Sequence, residues 1–134
     1  MTTKIFVNLP VRNLDKAVEF FTKLGFGFNP QFTDQNAGCM IIGDDIFVML
    51  LAEKFFKTFT KNEICDTSKN TEVLLALSAD GRERVDHMIK KAVESGGSES
   101  REPQDHGWMY GSSFQDIDGH IWEIIDMDES AIKK

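Results

Sequence analysis

No apolar run in this chain approaches the roughly 20 residues needed to cross a bilayer. Nor is there a basic excess to neutralise phosphates, since the formal net charge is −7. The first lack excludes a spanning helix. The second argues against nucleic acid and against an anionic membrane surface as partners. A phosphate-binding glycine loop, a Walker lysine and a dinucleotide fingerprint are also missing. Cysteine is scarce: Cys39 and Cys65 stand apart, without the spacing of a metal or redox pair, which fits a reducing compartment. Cys39, between Gly38 and Met40, reads as a small buried hydrophobe. Met1-Thr2-Thr3-Lys4 leads straight into a predicted strand with no charged-then-apolar leader, so the expected location is the cytoplasm.

What remains is an ordinary globular composition, 41% hydrophobic and 28% charged, over 134 residues, enough for one domain with its own core. Eleven Phe and six Met supply large, adaptable groups that can line a pocket as readily as fill a core.

Periodicity predicts the same unit twice. Residues 5–11 read as a strand, and Asn13 as the N-cap of a helix carrying Leu14, Ala17, Val18, Phe21 and Leu24, closed by Gly25. Strands at 26–32, 37–42 and 46–52 follow. In the second half, a strand at 71–79 precedes Asp80 and Glu83, spaced as a capping-box variant. A stripe of Val85, Met88, Ile89, Ala92 and Val93 follows, closed by Gly96-Gly97, and strands at 98–102, 108–115 and 120–127 complete the unit. The expected organisation is a single domain, 1–134: a β-α-β-β-β module at 1–52, a connector at 53–70 with a short helix and Phe55, Phe56 and Phe59, a second module at 71–127, and a solvated tail at 128–134.

The most informative stretch is Asp116-Ile117-Asp118-Gly119-His120-Ile121-Trp122-Glu123-Ile124-Ile125-Asp126. Asp-Gly makes the turn. The strand after it puts Trp122 and Ile124 on one face and Ile121, Glu123 and Ile125 on the other. A carboxylate between isoleucines is costly to ionise without a partner, a ligand or water. Glu123 is therefore either a solvated or backbone-bonded carboxylate, or a pocket acid, base or ligand anchor.

This turn and strand resemble the last strand of the vicinal oxygen chelate superfamily, whose pattern is Asp-Pro-Asp-Gly, two variable positions, an apolar residue and a metal-binding Glu. Ile117 stands in for the Pro, and Glu123 falls at the ligand position. The segment from Val11 through Phe21 to Leu24-Gly25-Phe26 is similar to the family's first strand-to-helix passage. The resemblance implies an α+β fold in which two βαβββ modules form a curved mixed sheet around a central trough. It also implies a small-molecule ligand and, in many relatives, a homodimer, for which the connector phenylalanines are a contact candidate. Family enzymes hold a divalent ion on four strands. By the resemblance, the other three ligand positions fall at Phe6, at or near Met49, and at or near Leu74, none of which suits such an ion. No metal is expected at the usual place and no cofactor is predicted. A rearranged site using Glu72, His106 or Asp126 with Glu123 is the remaining metal option, although Asp126 has the opposite strand parity.

The expected trough lining is Phe6, Asn8, Phe47, Met49, Leu74 and Glu123, with Trp108 and Tyr110 as an aromatic lid beside a mobile His106. Asn8 either orients Glu123 or satisfies nearby backbone. His87 and His120 read as surface and structural residues. Arg101, Lys54 and Lys57 are isolated cations able to attract an anionic ligand. Two functions follow: metal-independent binding of a small, partly apolar molecule, as in the bleomycin-binding relatives, or a glyoxalase-like lyase or isomerase (lactoylglutathione-lyase type) with Glu123 as general base and His106 as a weaker catalytic candidate. An extradiol dioxygenase is disfavoured, because its two His and one carboxylate are not all present.

Overall fold

Asn13 opens the first helix as its sequence predicts. Its side-chain oxygen accepts from Lys16 N–H at 3.1 Å, Asp15 sits in the first turn and Lys23 in the last, each favourable to the helix dipole. The structure, a computed structural model, describes residues 2–128 and 130. The chain divides into two compact units, Met1–Cys65 and Asp66–Lys134, parting inside the connector. Most of the predicted tail (129 and 131–134) lies outside the described residues.

In the first unit, β1 (Ile5–Val11) leads into α1 (Leu14–Lys23), then β2 (Gly27–Phe28), β3 (Ala37–Gly43), β4 (Ile46–Ala52) and the short α2 (Glu53–Phe56). The sheet order is β1-β4-β3-β2, with β1 parallel to β4 and the other pairs antiparallel. α1 buries Leu14, Ala17, Phe20 and Phe21, and beside them Leu9, Val48, Leu50 and Met40 are buried in the sheet. Each of these side chains larger than Ala contributes roughly 1.5–3 kcal/mol on leaving water. The predicted strand at 26–32 is cut to two residues. Pro30 lacks the N–H a ladder needs, and Asn29 caps Gln31 N–H at 2.9 Å, so Pro30–Phe32 turns into a 3-10 helix.

The second unit repeats the order: β5 (Leu74–Ser78), α3 (Arg82–Glu94), β6 (Ser98–Asp105), β7 (Met109–Gln115) and β8 (Ile121–Met127), with sheet order β5-β8-β7-β6. β5 is shorter than expected and β6 longer. The predicted capping box does not form: the N-cap is Gly81, at φ +95°, with no side-chain cap, which places Glu83 one position too early to reach back. α3 buries Val85, Ile89 and Ala92, whereas Val93 is exposed. Trp122 and Phe114 are fully buried and stack at 6.3 Å. Both sheets are mixed and open, each with one face covered by its helix. No helix among the described residues is long and apolar enough to cross a membrane.

Candidate functional site

Cross-strand register decides which residues share the face away from the helix. In the first unit Phe6 pairs with Phe47 and Asn8 with Met49, so all four occupy that open face. Phe6 and Phe47 stack at 5.0 Å, with Phe6 half exposed. Asn8 donates to the Phe6 carbonyl at 3.3 Å, satisfying local backbone. Cys39 pairs with Met49 and is buried, and burial pushes its thiol pKa up, the opposite of what a nucleophile needs.

In the second unit, Glu123 of β8 lies across from Ser113 of β7 and beside Ala76 of β5, with Ile121 and Ile125 on the same face. Its carboxylate is not free. Arg101 of β6 donates from Nη2 to Oε1 at 2.5 Å and from Nε to Oε2 at 3.4 Å, with the Glu123 side chain 17% and the Arg101 side chain 37% exposed. Arg101, Ser113 and Glu123 thus form one row across three strands. A β-bulge before Arg101 brings it there, and a second follows it. From Glu99 to Arg101 the register advances two residues on β6 against one on β7, and from Arg101 to Gln104 three against two. Each bulge flips strand parity; without the first, Arg101 would point to the helix side. Pro103, next to the second bulge, is tolerated because β6 is an edge strand. The Ser113 hydroxyl, in the middle of the row, is buried and makes no hydrogen bond.

The turn feeding β8 is locked. Asp116 Oδ1 accepts from Asp118 and His120 N–H at 2.9 and 3.0 Å, and Oδ2 from the Trp122 indole N–H at 2.9 Å. The Thr67 hydroxyl donates to the Asp118 carbonyl. The turn therefore fixes the phase of β8, and with it the face on which Glu123 stands.

A sequence model of the glyoxalase/bleomycin resistance protein/dioxygenase superfamily matches residues 5–124. The chain belongs to this superfamily. Among solved structures, it is 30% identical to a hypothetical protein, SA1046, from S. aureus, over 94% of this chain and 95% of that one, with a TM-score of 0.79. A glyoxalase/bleomycin resistance protein/dioxygenase family enzyme from Burkholderia phytofirmans PsJN is 15% identical, over 94% and 99% of the two chains, with a TM-score of 0.77. A bleomycin resistance determinant encoded on the transposon Tn5 is 21% identical, over 95% and 99%, with a TM-score of 0.65. The last two likenesses show the fold alone. No functionally curated protein matches the chain.

By the resemblance, the superfamily's metal positions other than Glu123 fall at Phe6, at or near Met49 and at or near Leu74. Phe6 offers a phenyl ring, Met49 a thioether and Leu74 an isobutyl group, and the direct β5 neighbour of Glu123 is Ala76. Glu123 itself is engaged by a guanidinium. This donor set does not fit a divalent ion. The residues proposed for a rearranged site stand at different places in the second unit. The Glu72 carboxylate meets Nδ1 of the buried His120, and His106 is exposed in the turn after β6, where its backbone N–H donates to the Met109 carbonyl at 2.8 Å. Asp126 pairs with Tyr110 on the helix side of the sheet. Among the described residues, no three His, Cys, Asp or Glu side chains gather closely enough to hold a metal.

Tyr110 shares that helix-side face, so it does not share Glu123's face: its hydroxyl donates to Asp86 at 2.6 Å, and Arg82 lies over its ring at 4.9 Å. The Asp86 carboxylate pushes the Tyr110 pKa up. Arg82 also forks onto Asp105, holding that carboxyl below its usual range. Trp108, half exposed, lines a small cleft with Arg82, Tyr110, Asp126 and Met127. His87 is exposed on α3. Sequence periodicity found Glu123 but missed its partner, because Arg101 reaches the row only through a bulge.

Proposed function

We propose that this superfamily member binds a small, partly apolar molecule on the open face that carries Glu123, using no divalent ion at the family's positions and no other cofactor. The Arg101–Glu123 fork is the observation that supports this reading. The single retained ligand position is tied up by a cation, and the remaining positions are apolar. Ile121, Ile125 and the exposed Leu74 offer apolar contact around one polar anchor, the usual make-up of a ligand site. In the first unit, the Phe6–Phe47 stack and Met49 offer a second apolar surface. A sequestering role is the one closest to the relative named as a bleomycin resistance determinant. The proposal extends to a homodimer in the cytoplasm, with the exposed Phe59, packed edge-to-face on Phe55 at 5.2 Å, as a contact candidate.

A lyase or isomerase would require Glu123 to take a proton from carbon, with both of its oxygens already directed at Arg101 and no metal to stabilise the resulting enediolate. The test pairs binding with turnover. The neutral fluorophore N-phenyl-1-naphthylamine is titrated into the protein, and the hemithioacetal of methylglyoxal and glutathione is offered as substrate. The expected result is saturable fluorophore binding and no turnover above the buffer rate. Turnover that disappears in Glu123→Gln would overturn the proposal in favour of glyoxalase-like catalysis.

A further inference from the structure

The way Glu123 holds Arg101 leaves one end of the guanidinium open. An arginine carries five N–H donors in a flat fork. Glu123 takes Nε and one hydrogen of Nη2. Among the described residues, Nη1 and the second Nη2 hydrogen have no acceptor, and the side chain is 37% exposed, so that end can be reached. A carboxylate clamped on one side of the fork fixes the plane and direction of the other side. Such a group is preorganised to receive two oxygens of an anion in parallel hydrogen bonds.

A further observation makes this row a built feature. The bulge between Glu99 and Arg101 turns Arg101 onto the open face, where a regular edge strand would turn it away; bulges recur where a side chain has to be re-aimed.

We infer that Arg101 is the receptor for an oxyanion on the ligand, a carboxylate, sulfonate or phosphonate, received end-on by its Nη1–Nη2 edge while the ligand's apolar body lies over Ile121, Ile125 and Leu74. Glu123 is then a positioning residue that orients the guanidinium. This inference rests on the binding role proposed above and names its ligand class. Because the local pair is neutral overall, recognition comes from fork geometry, which Lys cannot reproduce.

Two fluorophores of similar aromatic body separate the possibilities: anionic 8-anilinonaphthalene-1-sulfonate and neutral N-phenyl-1-naphthylamine. Both are expected to bind the native protein saturably. Arg101→Gln should weaken the sulfonate about 10- to 100-fold more than the neutral dye, as for a lost charged hydrogen-bond pair. Should Arg101→Gln not fold, Arg101→Lys carries the test, with the same selective loss at smaller size. Equal loss of both dyes, or loss of neither, would overturn the oxyanion role while leaving small-molecule binding intact. Failure of both dyes to bind the native protein would overturn the two proposals together.

Discussion

Gly119→Ala is expected to destabilise the second unit by about 2–4 kcal/mol, the sum of a left-handed backbone cost and an overpacking cost. Gly119 has φ +85°, a region L-residues enter at a penalty. A Cβ there would stand 2.7 Å from the Thr67 hydroxyl oxygen, 3.0 Å from Thr67 Cβ and 3.1 Å from the Thr67 carbonyl. Two of those contacts are to atoms that cannot swing aside, and the hydroxyl is itself donating to the Asp118 carbonyl. Gly25 is the control. It has φ +103° but nothing within 4 Å of a built Cβ, so Gly25→Ala carries the backbone cost alone. Chemical denaturation of the two variants should show Gly119→Ala clearly the more damaging. Equal losses would mean that the Thr67 contact yields freely and that the turn is not clamped as described.

Asp116→Asn should cost about 1–3 kcal/mol, the range for an unmet buried hydrogen-bonding group. The amide oxygen can still accept from Asp118 and His120, but the amide nitrogen must then face the Trp122 indole N–H, donor against donor. Trp122 is fully buried, so water cannot replace the lost acceptor there. A pH signature accompanies the loss. Burial pushes the Asp116 carboxyl above the ordinary Asp value, against the opposing pull of His120 and of the three N–H donors. A carboxyl whose pKa is higher folded than unfolded takes up a proton on folding between the two values. Its contribution is therefore fully present below the unfolded pKa and is lost as pH rises through the folded one. In the native protein this segment of the stability–pH curve slopes downward. In Asp116→Asn that contribution is absent, which unfolding measured over the acid range would reveal. An unchanged slope would assign the acid behaviour to other carboxylates.

Much of this was legible in the sequence, for identifiable reasons. Local chemistry announced the Asn13 cap, the Asp-Gly turn and the Ile46–Ala52 strand, because each rests on residues within a few positions of one another. Period-two alternation placed Phe6, Asn8, Phe47 and Met49 on one face and set Glu123 opposite Trp122. Alternation fails wherever a strand is irregular, and β6 is irregular twice. Continued from Ser98, it assigns Arg101 to the helix side, so the cation that meets Glu123 could not be found by counting. The capping box failed for a related reason: Gly81, in a backbone region open chiefly to glycine, moved the helix start one residue beyond Asp80. Tyr110 was placed by nearness in sequence to His106 and Trp108, whereas register with Asp126 puts it on the other side of the sheet. The identities at the metal positions were plain from the sequence. That the one remaining carboxylate is occupied by Arg101 required the three-strand register.

We propose that this superfamily member works without an ion at the family's metal positions. The most direct test is metal content. Tag-free protein is incubated in turn with nickel(II), zinc(II), iron(II) and manganese(II), desalted, and analysed by plasma mass spectrometry beside Glu123→Gln. The expected result is far less than one equivalent of any ion, with no difference between the native protein and the variant. Close to one equivalent retained by the native protein and lost in Glu123→Gln would contradict the claim, and would mean that Arg101 gives way to a metal on that face.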